Sequence, residues 1–458
     1  MPDQTGGPDP TVDDETPPPA GPFPPHPSCG IPLPPDWVTL GPPRLRPDPR
    51  PGPRASTEPG IGGRLKDRAE DFLVEEIPLY DPVGEGEHLY LGIQKSNMPH
   101  TEMLAVLCRH FKVDEAAIGF AGMKDRVAVT QQTVSVHLPG EAAREPVGEL
   151  RHERLAVLWA KRHQNKLRRG HLRGNRFSIR IRGVDPLAVR VVRRRMQDLE
   201  RHGIPDYFGE QRFGYRANGH LLGLLYARGA WKDLLDEVVG ARGTPFPPHQ
   251  LEAREAYERG DFAAAARRWG RHDPAELISL RALARGRDPE GAVRAIPTHV
   301  KSFWMSSLQG AVYNATLAAR IGDGTYADVL PGDVAMIAGS QSVFPIPLGI
   351  SDDELAIERE RAAACTISPT GPVHGPSMVS AAGRPLAYEH AALAAFGADE
   401  SLFAPPALEF RGARRPLRIA MTNWETDAGV DEHGAFIRLA FDLPKGAFAT
   451  VLCREIMG

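Results

Sequence analysis

Apolar and polar residues alternate at several widely separated places along the chain. In His88-Leu-Tyr-Leu-Gly-Ile-Gln94, Leu89, Leu91 and Ile93 fall on one side, and Thr133-Val-Ser-Val-His-Leu138 does the same with Val134, Val136 and Leu138. Arg176-Phe-Ser-Ile-Arg-Ile-Arg182 alternates over its whole length, and Ile437-Arg-Leu-Ala-Phe-Asp-Leu443 repeats the pattern far away. A period of two predicts half-buried strands. Leu104, Leu107, Cys108 and Phe111 follow helical spacing instead, and Asp185-Pro186 gives a cap and first turn for a helix through Leu199 that Gly203 and Pro205 close. The part of the chain holding these elements therefore reads as α/β, its sheet exposed on one face or covered by helices. Between about Phe208 and Arg414 the texture changes to Ala- and Arg-rich, with helices predicted over Asp261–Trp269 and Phe303–Ile321, and this reads as a second domain. By pattern alone, the strand at 437–443 fits either domain.

At 458 residues, two or three domains are expected. Of the 44 prolines, 20 stand in the first 60 residues among Gly, Asp and Arg, so residues 1–60 read as a tail that buries too little apolar surface to fold. No apolar run is long enough for a membrane span, and the N-terminus lacks the apolar stretch of a secretory signal. Cys29, Cys108, Cys365 and Cys453 are far apart, with no CxxC pair, which argues against a zinc knuckle or disulfide framework and fits a cytoplasmic protein. The chain has no GxxxxGK loop, no GxGxxG opening a helix, no GxSxG elbow and no HExxH, and no histidines at ligand spacing. Neither cofactor nor metal is expected, so any catalysis falls to side chains.

Net charge is only −3, but its distribution is informative. Lys161-Arg-His-Gln-Asn-Lys-Leu-Arg-Arg-Gly-His-Leu-Arg-Gly-Asn-Arg176 carries seven Lys/Arg and no acid. Such a run is either a solvated face or a surface that tracks phosphates. The missing counter-charges and the arginines at 190–195 favour nucleic acid. Gly170 and Gly174 would let the backbone approach a polyanion closely.

The most informative stretch is Gly119-Phe-Ala-Gly-Met-Lys-Asp-Arg-Val-Ala-Val-Thr-Gln-Gln132, which sets Asp125 between Lys124 and Arg126, just ahead of a strand. Flanking positive charge favours an ionised, nucleophilic carboxylate. A solvated turn with a local ion pair explains the same residues.

Taken in order, the motifs resemble those of the TruD family of tRNA pseudouridine synthases. Lys66-Asp-Arg-Ala-Glu-Asp-Phe-Leu-Val-Glu-Glu76 resembles the family's opening element and Gly84-Glu-Gly-Glu-His88 the turn that follows. Gly122-Met-Lys-Asp-Arg-Val-Ala-Val-Thr130 resembles its GxKDxxAxT element, and Lys166 to Phe177 its basic arm ending in GNxF. Gly203-Ile-Pro-Asp-Tyr-Phe-Gly-Glu-Gln-Arg-Phe-Gly214, Lys301-Ser-Phe-Trp304 and Leu443-Pro-Lys-Gly-Ala-Phe-Ala-Thr450 with Arg454-Glu455 complete the series.

The resemblance implies an α+β pseudouridine-synthase catalytic domain with a mixed or antiparallel sheet, made of residues 61–206 and 415–458. An inserted α+β TruD-specific domain over 207–414 interrupts it, so the 437–443 strand should rejoin the first sheet. It implies isomerisation of uridine, at position thirteen in the family's tRNA target, with no energy input. Asp125 is the implied catalytic carboxylate, with Lys66, Lys124 or Arg126 as the balancing charge and Lys66 ranked first. Phe72, Asn175, Phe177 and Phe448 match substrate-contacting positions. Phe177, in step with Ile179 and Ile181, and Phe448, heading a helix with Leu452 and Ile456, suit a core equally well. Lys124, Lys166, Arg168, Arg169 and Arg173 are the expected RNA contacts. The protein is expected to act on tRNA as a cytoplasmic monomer. The competing readings are a non-catalytic tRNA-binding or tRNA-folding protein, and a glycosidic hydrolase whose second carboxylate comes from the DFLVEE or GEGEH acids.

Overall fold

A computed structural model of the chain describes residues 36–40, 48–140, 150–270, 274–404, 408 and 410–458. They form a mixed α/β fold of two compact units, Ser56–Ile204 with Ile419–Gly458, and Pro205–Arg418 with the described part of Met1–Ala55.

The first unit is built on an eight-stranded sheet. In chain order it contains β1 (Phe72–Pro78), β2 (His88–Ser96), helix α1 (His100–Phe111), β3 (Ile118–Phe120), β4 (Val129–His137), β5 (Leu155–His163), β6 (Leu172–Arg182) and helix α2 (Val189–His202). A hairpin of Thr422–Asp431 and Gly434–Pro444 follows, then the final helix Ala449–Met457. Across the sheet the order is hairpin, β6, β1, β4, β2, β5, with β3 on β4. Among the described residues of this sheet β1 and β4 are the one parallel pair; the Gly434–Pro444 strand pairs antiparallel with β6.

The predicted alternation is visible in the burial. Leu89, Leu91 and Ile93 of β2 meet Val134 and Val136 of β4 under Met103, Leu104 and Leu107 of α1. The opposite side of β2 is not left to solvent, because Tyr90 is buried with Ala121, Leu167 and Leu172, where the basic segment folds back over the sheet. Asp185 starts the turn into α2 by accepting from the Leu187 N–H at 2.9 Å, and Gly203, at φ 77°, ends the helix.

The second unit centres on the helix Thr298–Gly322, buried along most of its length. A four-stranded sheet orders Ala413–Pro416, Ile367–Val373, Val334–Ile337 and Val343–Pro345. Short helices occupy residues 219–294, among them Phe262–Arg268, whose cap is Asp261 accepting from the Ala264 N–H at 2.9 Å. Among the described residues no helix is long and apolar enough to cross a membrane.

The tail expected over residues 1–60 lies outside the described residues for 1–35 and 41–47. The remainder is part of the folded body. Val38 exchanges backbone hydrogen bonds with Phe246, both 3.0 Å, Asn314 Nδ2 donates to the Pro49 carbonyl at 2.9 Å, and Tyr207 Oη donates to that of Pro53 at 3.1 Å. Proline removes a backbone donor but keeps its acceptor, and side chains of the body supply the missing N–H and O–H groups.

Candidate active site

Asp125 lies in the loop joining β3 to β4, which delivers it to the middle of the sheet. Its Oδ2 is 3.5 Å from Lys66 Nζ, the carboxylate one-third exposed and the lysine side chain 15 % exposed. Lys66 adopts φ 57°, a left-handed conformation that costs a non-glycine residue about 1–2 kcal/mol. Its ammonium stands 4.3 Å from the centre of the Phe72 ring.

Beneath this pair is an aromatic floor. Phe72 meets Phe177 edge-on at 6.3 Å, and Phe177 stacks on Phe441 at 5.5 Å. Register makes this possible, since Phe72 pairs with Ile179, Val74 with Phe177, and Phe177 with Phe441, putting all three rings on one face. All three are buried. Phe72 and Phe177 thus belong to the core, as their spacing allowed, while Phe72 also lies directly under the Lys66 ammonium. Phe441 was not singled out, although the alternation through Ile437 and Leu439 places it on that face.

Two lysines hold the Asp125 loop from behind. Lys124 turns inward, its Nζ 2.8 Å from Glu76 Oε2 and 2.8 Å from Asn175 Oδ1, with its side chain only 4 % exposed. The expectation that it contacts RNA is corrected here, because its side chain is buried and its ammonium is held by buried Glu76 and half-buried Asn175. Glu76 also accepts from the Thr133 N–H through Oε1, at 3.2 Å. Since the Asn175 carbonyl faces an ammonium, the NH2 end of that amide is turned away from it. Lys95 is wholly buried, and its Nζ donates to the carbonyls of Met98 (2.8 Å), Asp125 (2.8 Å) and Lys124 (3.4 Å). Burial pushes its pKa down to about 8, with the Asp125 charge opposing the fall and that of Lys124 adding to it.

Sequence reasoning missed Glu76 as a partner of Lys124, and missed Lys95. The signal was present in both cases: Glu76 continues the inward parity of Phe72 and Val74, and Lys95 that of Leu91 and Ile93. A charge at such a position needs a buried partner.

The basic arm borders this loop. Leu167 is buried and its N–H donates to Ser135 Oγ at 3.0 Å, which leaves Arg168 and Arg169 pointing out. The Gly170 N–H donates to the Ala121 carbonyl at 2.8 Å, joining the arm to the start of the Asp125 loop. Arg169 sits 5.5 Å over the Phe120 ring, and Arg173 is exposed with a long hydrogen bond to the Leu79 carbonyl, 3.4 Å. Lys166 Nζ donates to the Ala116 carbonyl at 2.7 Å. Half-buried Phe448 caps the last helix, and Lys445, just before it, donates from its backbone N–H to Arg173 O at 3.2 Å. The reading of Gly174 as an approach for a polyanion gives way to a packing role: a Cβ there would stand 2.1 Å from the Leu443 carbonyl, on the paired strand. Gly170 does hold a left-handed turn, at φ 82°.

A part-exposed carboxylate against an ammonium, over aromatic rings and beside exposed arginines, is equipped to act on a ring carried by a polyanion. The family model described as tRNA pseudouridine synthase D (TruD) matches residues 53–456. The chain belongs to the TruD family. It is 38 % identical over 401 residues to tRNA pseudouridine synthase D of Geobacter metallireducens, covering 87 % of this chain and 96 % of that one. With a Thermus thermophilus protein of the same description it shares 35 % over 402 residues, 87 % and 90 % of the two chains. A Methanosarcina mazei crystal structure described as a candidate TruD superposes with TM-score 0.74 at 23 % identity, over 90 % of this chain and 98 % of that one, and so shares the fold. The TruD resemblance read from the motifs is thereby borne out.

Proposed function

We propose that this TruD-family chain isomerises uridine to pseudouridine in tRNA, at position thirteen, with Asp125 as the catalytic carboxylate. The observation that carries the proposal is the Asp125–Lys66 pair, 3.5 Å apart over the Phe72 ring. Isomerisation breaks the bond from ribose C1′ to N1 of the base and forms one from C1′ to C5. N1 gains a proton and C5 loses one, so no oxidant, reductant or energy donor enters the balance. A flipped-out base is required for access. Lys66 supplies the counter-charge that Asp125 needs once the base displaces water, and Asp125 attacks the sugar or the ring. The outward NH2 of Asn175 is a donor for a uracil carbonyl, and Phe448 a side for the ring to lie against. Arg168, Arg169 and Arg173 engage the phosphates, with Lys166 behind them holding the arm.

Ser56–Ile204 with Ile419–Gly458 is the catalytic domain in this proposal, and Pro205–Arg418 the inserted TruD-specific domain. The enzyme acts as a cytoplasmic monomer. Glu76, which pairs with Lys124 of the loop, is engaged by that lysine and by the Thr133 N–H, which favours isomerisation over a hydrolysis in which it would activate water.

The test uses transcribed tRNA labelled with tritium at uridine C5. Wild type should release tritium and leave pseudouridine in the RNA. Asp125→Asn should release none while still retaining tRNA on a filter. Turnover that persists in Asp125→Asn removes the catalytic assignment, and free uracil as product removes the isomerase.

A further inference from the structure

We propose that Lys95 is a positioning residue for the reaction, holding the main chain of the catalytic loop so that the Asp125 carboxylate is presented to Lys66 and the substrate. This rests on the reading of Asp125 as the reactive group.

An ammonium has three N–H donors, and Lys95 has three acceptors within reach: Met98 O, Lys124 O and Asp125 O, at 2.8, 3.4 and 2.8 Å. Two of these belong to the catalytic loop. The third belongs to the turn between β2 and α1, so one side chain ties the loop to the sheet at the residue that carries the carboxylate. The side chain is completely buried. Keeping a charge at that depth costs stability, and a buried methionine would fill similar space without that cost, so the ammonium serves something other than packing.

The titratable groups facing Lys95 are Asp125 and Lys124 of the loop and His100 of α1, the last held neutral near pH 7 by burial first and by Lys95, Arg169 and Lys124 after it. Asp125 is thus the one acid among them, and the Lys95 ammonium lies on the main-chain side of that residue while Lys66 faces its carboxylate. The two cations have different tasks. Lys66 meets the reacting group, and Lys95 fixes where that group is.

The positive charge on Lys95 is also the component of this arrangement that alkali removes. With its pKa near 8, the amine above that pH has two N–H donors for three carbonyls and no longer carries a positive charge on the main-chain side of Asp125. The loop should then lose its alignment while the tRNA surface, formed by arginines, stays charged.

Single-turnover pseudouridine formation and tRNA retention on filters, both from pH 6 to 9.5, test this on the full chain. Wild type should lose rate on the alkaline side with a midpoint near 8, its tRNA affinity changing less than threefold. Lys95→Met and Lys95→Gln should be slower by about 100-fold at pH 7.5, the scale of a misplaced reacting group. Both should bind tRNA as wild type does, and what activity is left should lack the alkaline limb. A rate within threefold of wild type in either variant overturns the proposal, as does an unchanged alkaline limb in a variant. If neither variant folds, a wild-type rate that stays flat to pH 9.5 overturns it, and a limb near 8 with unchanged binding upholds it. Failure of the Asp125 reading is seen separately, as turnover in Asp125→Asn.

Discussion

Lys124 and Glu76 form an ion pair of 2.8 Å with side chains 4 % and 2 % exposed, and the same ammonium holds the carbonyl of Asn175. The residue next to Asp125 is thereby joined to β1, and β1 to the Asn175 amide of β6. Charges this deep are kept only while both are present. Glu76→Gln leaves the ammonium without its carboxylate and should lower unfolding stability by about 3–5 kcal/mol, read from urea denaturation. Glu76→Gln combined with Lys124→Met should recover much of that loss, because the uncompensated charge is gone. A single variant as stable as wild type would show that the pair carries no structural load.

Arg168 and Arg169 project from a backbone that buried Leu167 pins to β4. Replacing both by Ala should weaken tRNA binding and reduce the slope of log affinity against log salt by roughly 1 per arginine. A salt titration by filter binding measures it directly. An unchanged slope would take both residues out of the phosphate-contacting surface.

Much of the first unit was legible because alternation survives folding: the stretches at 88–94, 176–182 and 437–443 lie within sheet strands, and 133–138 does so up to His137. Alternation also misled at its ends. Glu76 and Lys95 occupy inward positions, but a charged residue reads as the end of a buried face unless its partner is known, and Lys124 comes 48 or 29 positions later. Lys66 and Asp125 meet across 59 positions. No local pattern encodes that approach, and only resemblance to a family pointed to it. Spacing could not say whether Phe72 and Phe177 lie near Asp125 as well as in the core; both are buried, and Phe72 lies under the Lys66 that pairs with Asp125.

Composition misjudged the described part of the proline-rich start, residues 48–60 above all. The segment's few aliphatics say how little surface it buries, but not that Asn314 and Tyr207 donate to Pro49 and Pro53, or that Gly52 lies against Ala318. A chain beginning at residue 61 should therefore unfold more easily than one beginning at residue 48. About 1 kcal/mol for each lost hydrogen bond, with the uncovered apolar contact added, makes the difference about 2–3 kcal/mol. Urea denaturation of the two truncated proteins gives the comparison, and equal midpoints would mean these contacts contribute nothing.

His100, at the start of α1, lies edge-on to Phe120 at 4.3 Å. Burial is the main cause that brings its pKa down to about 4, and the nearby charges of Lys95, Arg169 and Lys124 add to it. The unfolded chain binds a proton on this imidazole below about pH 6.5, and the folded chain only below about 4. Between these values the unfolded state holds more protons, so the histidine's contribution to stability declines as pH falls from 6.5 to 4 and is constant outside that window. Other groups also titrate there, and the difference between wild type and His100→Leu isolates this one. Urea midpoints measured from pH 7.5 to 4 should fall less steeply for the variant, whose leucine has no proton to take up. Parallel curves would mean that the imidazole is as easily protonated in the folded protein as in the unfolded chain, and that the three cations around it do not act on it.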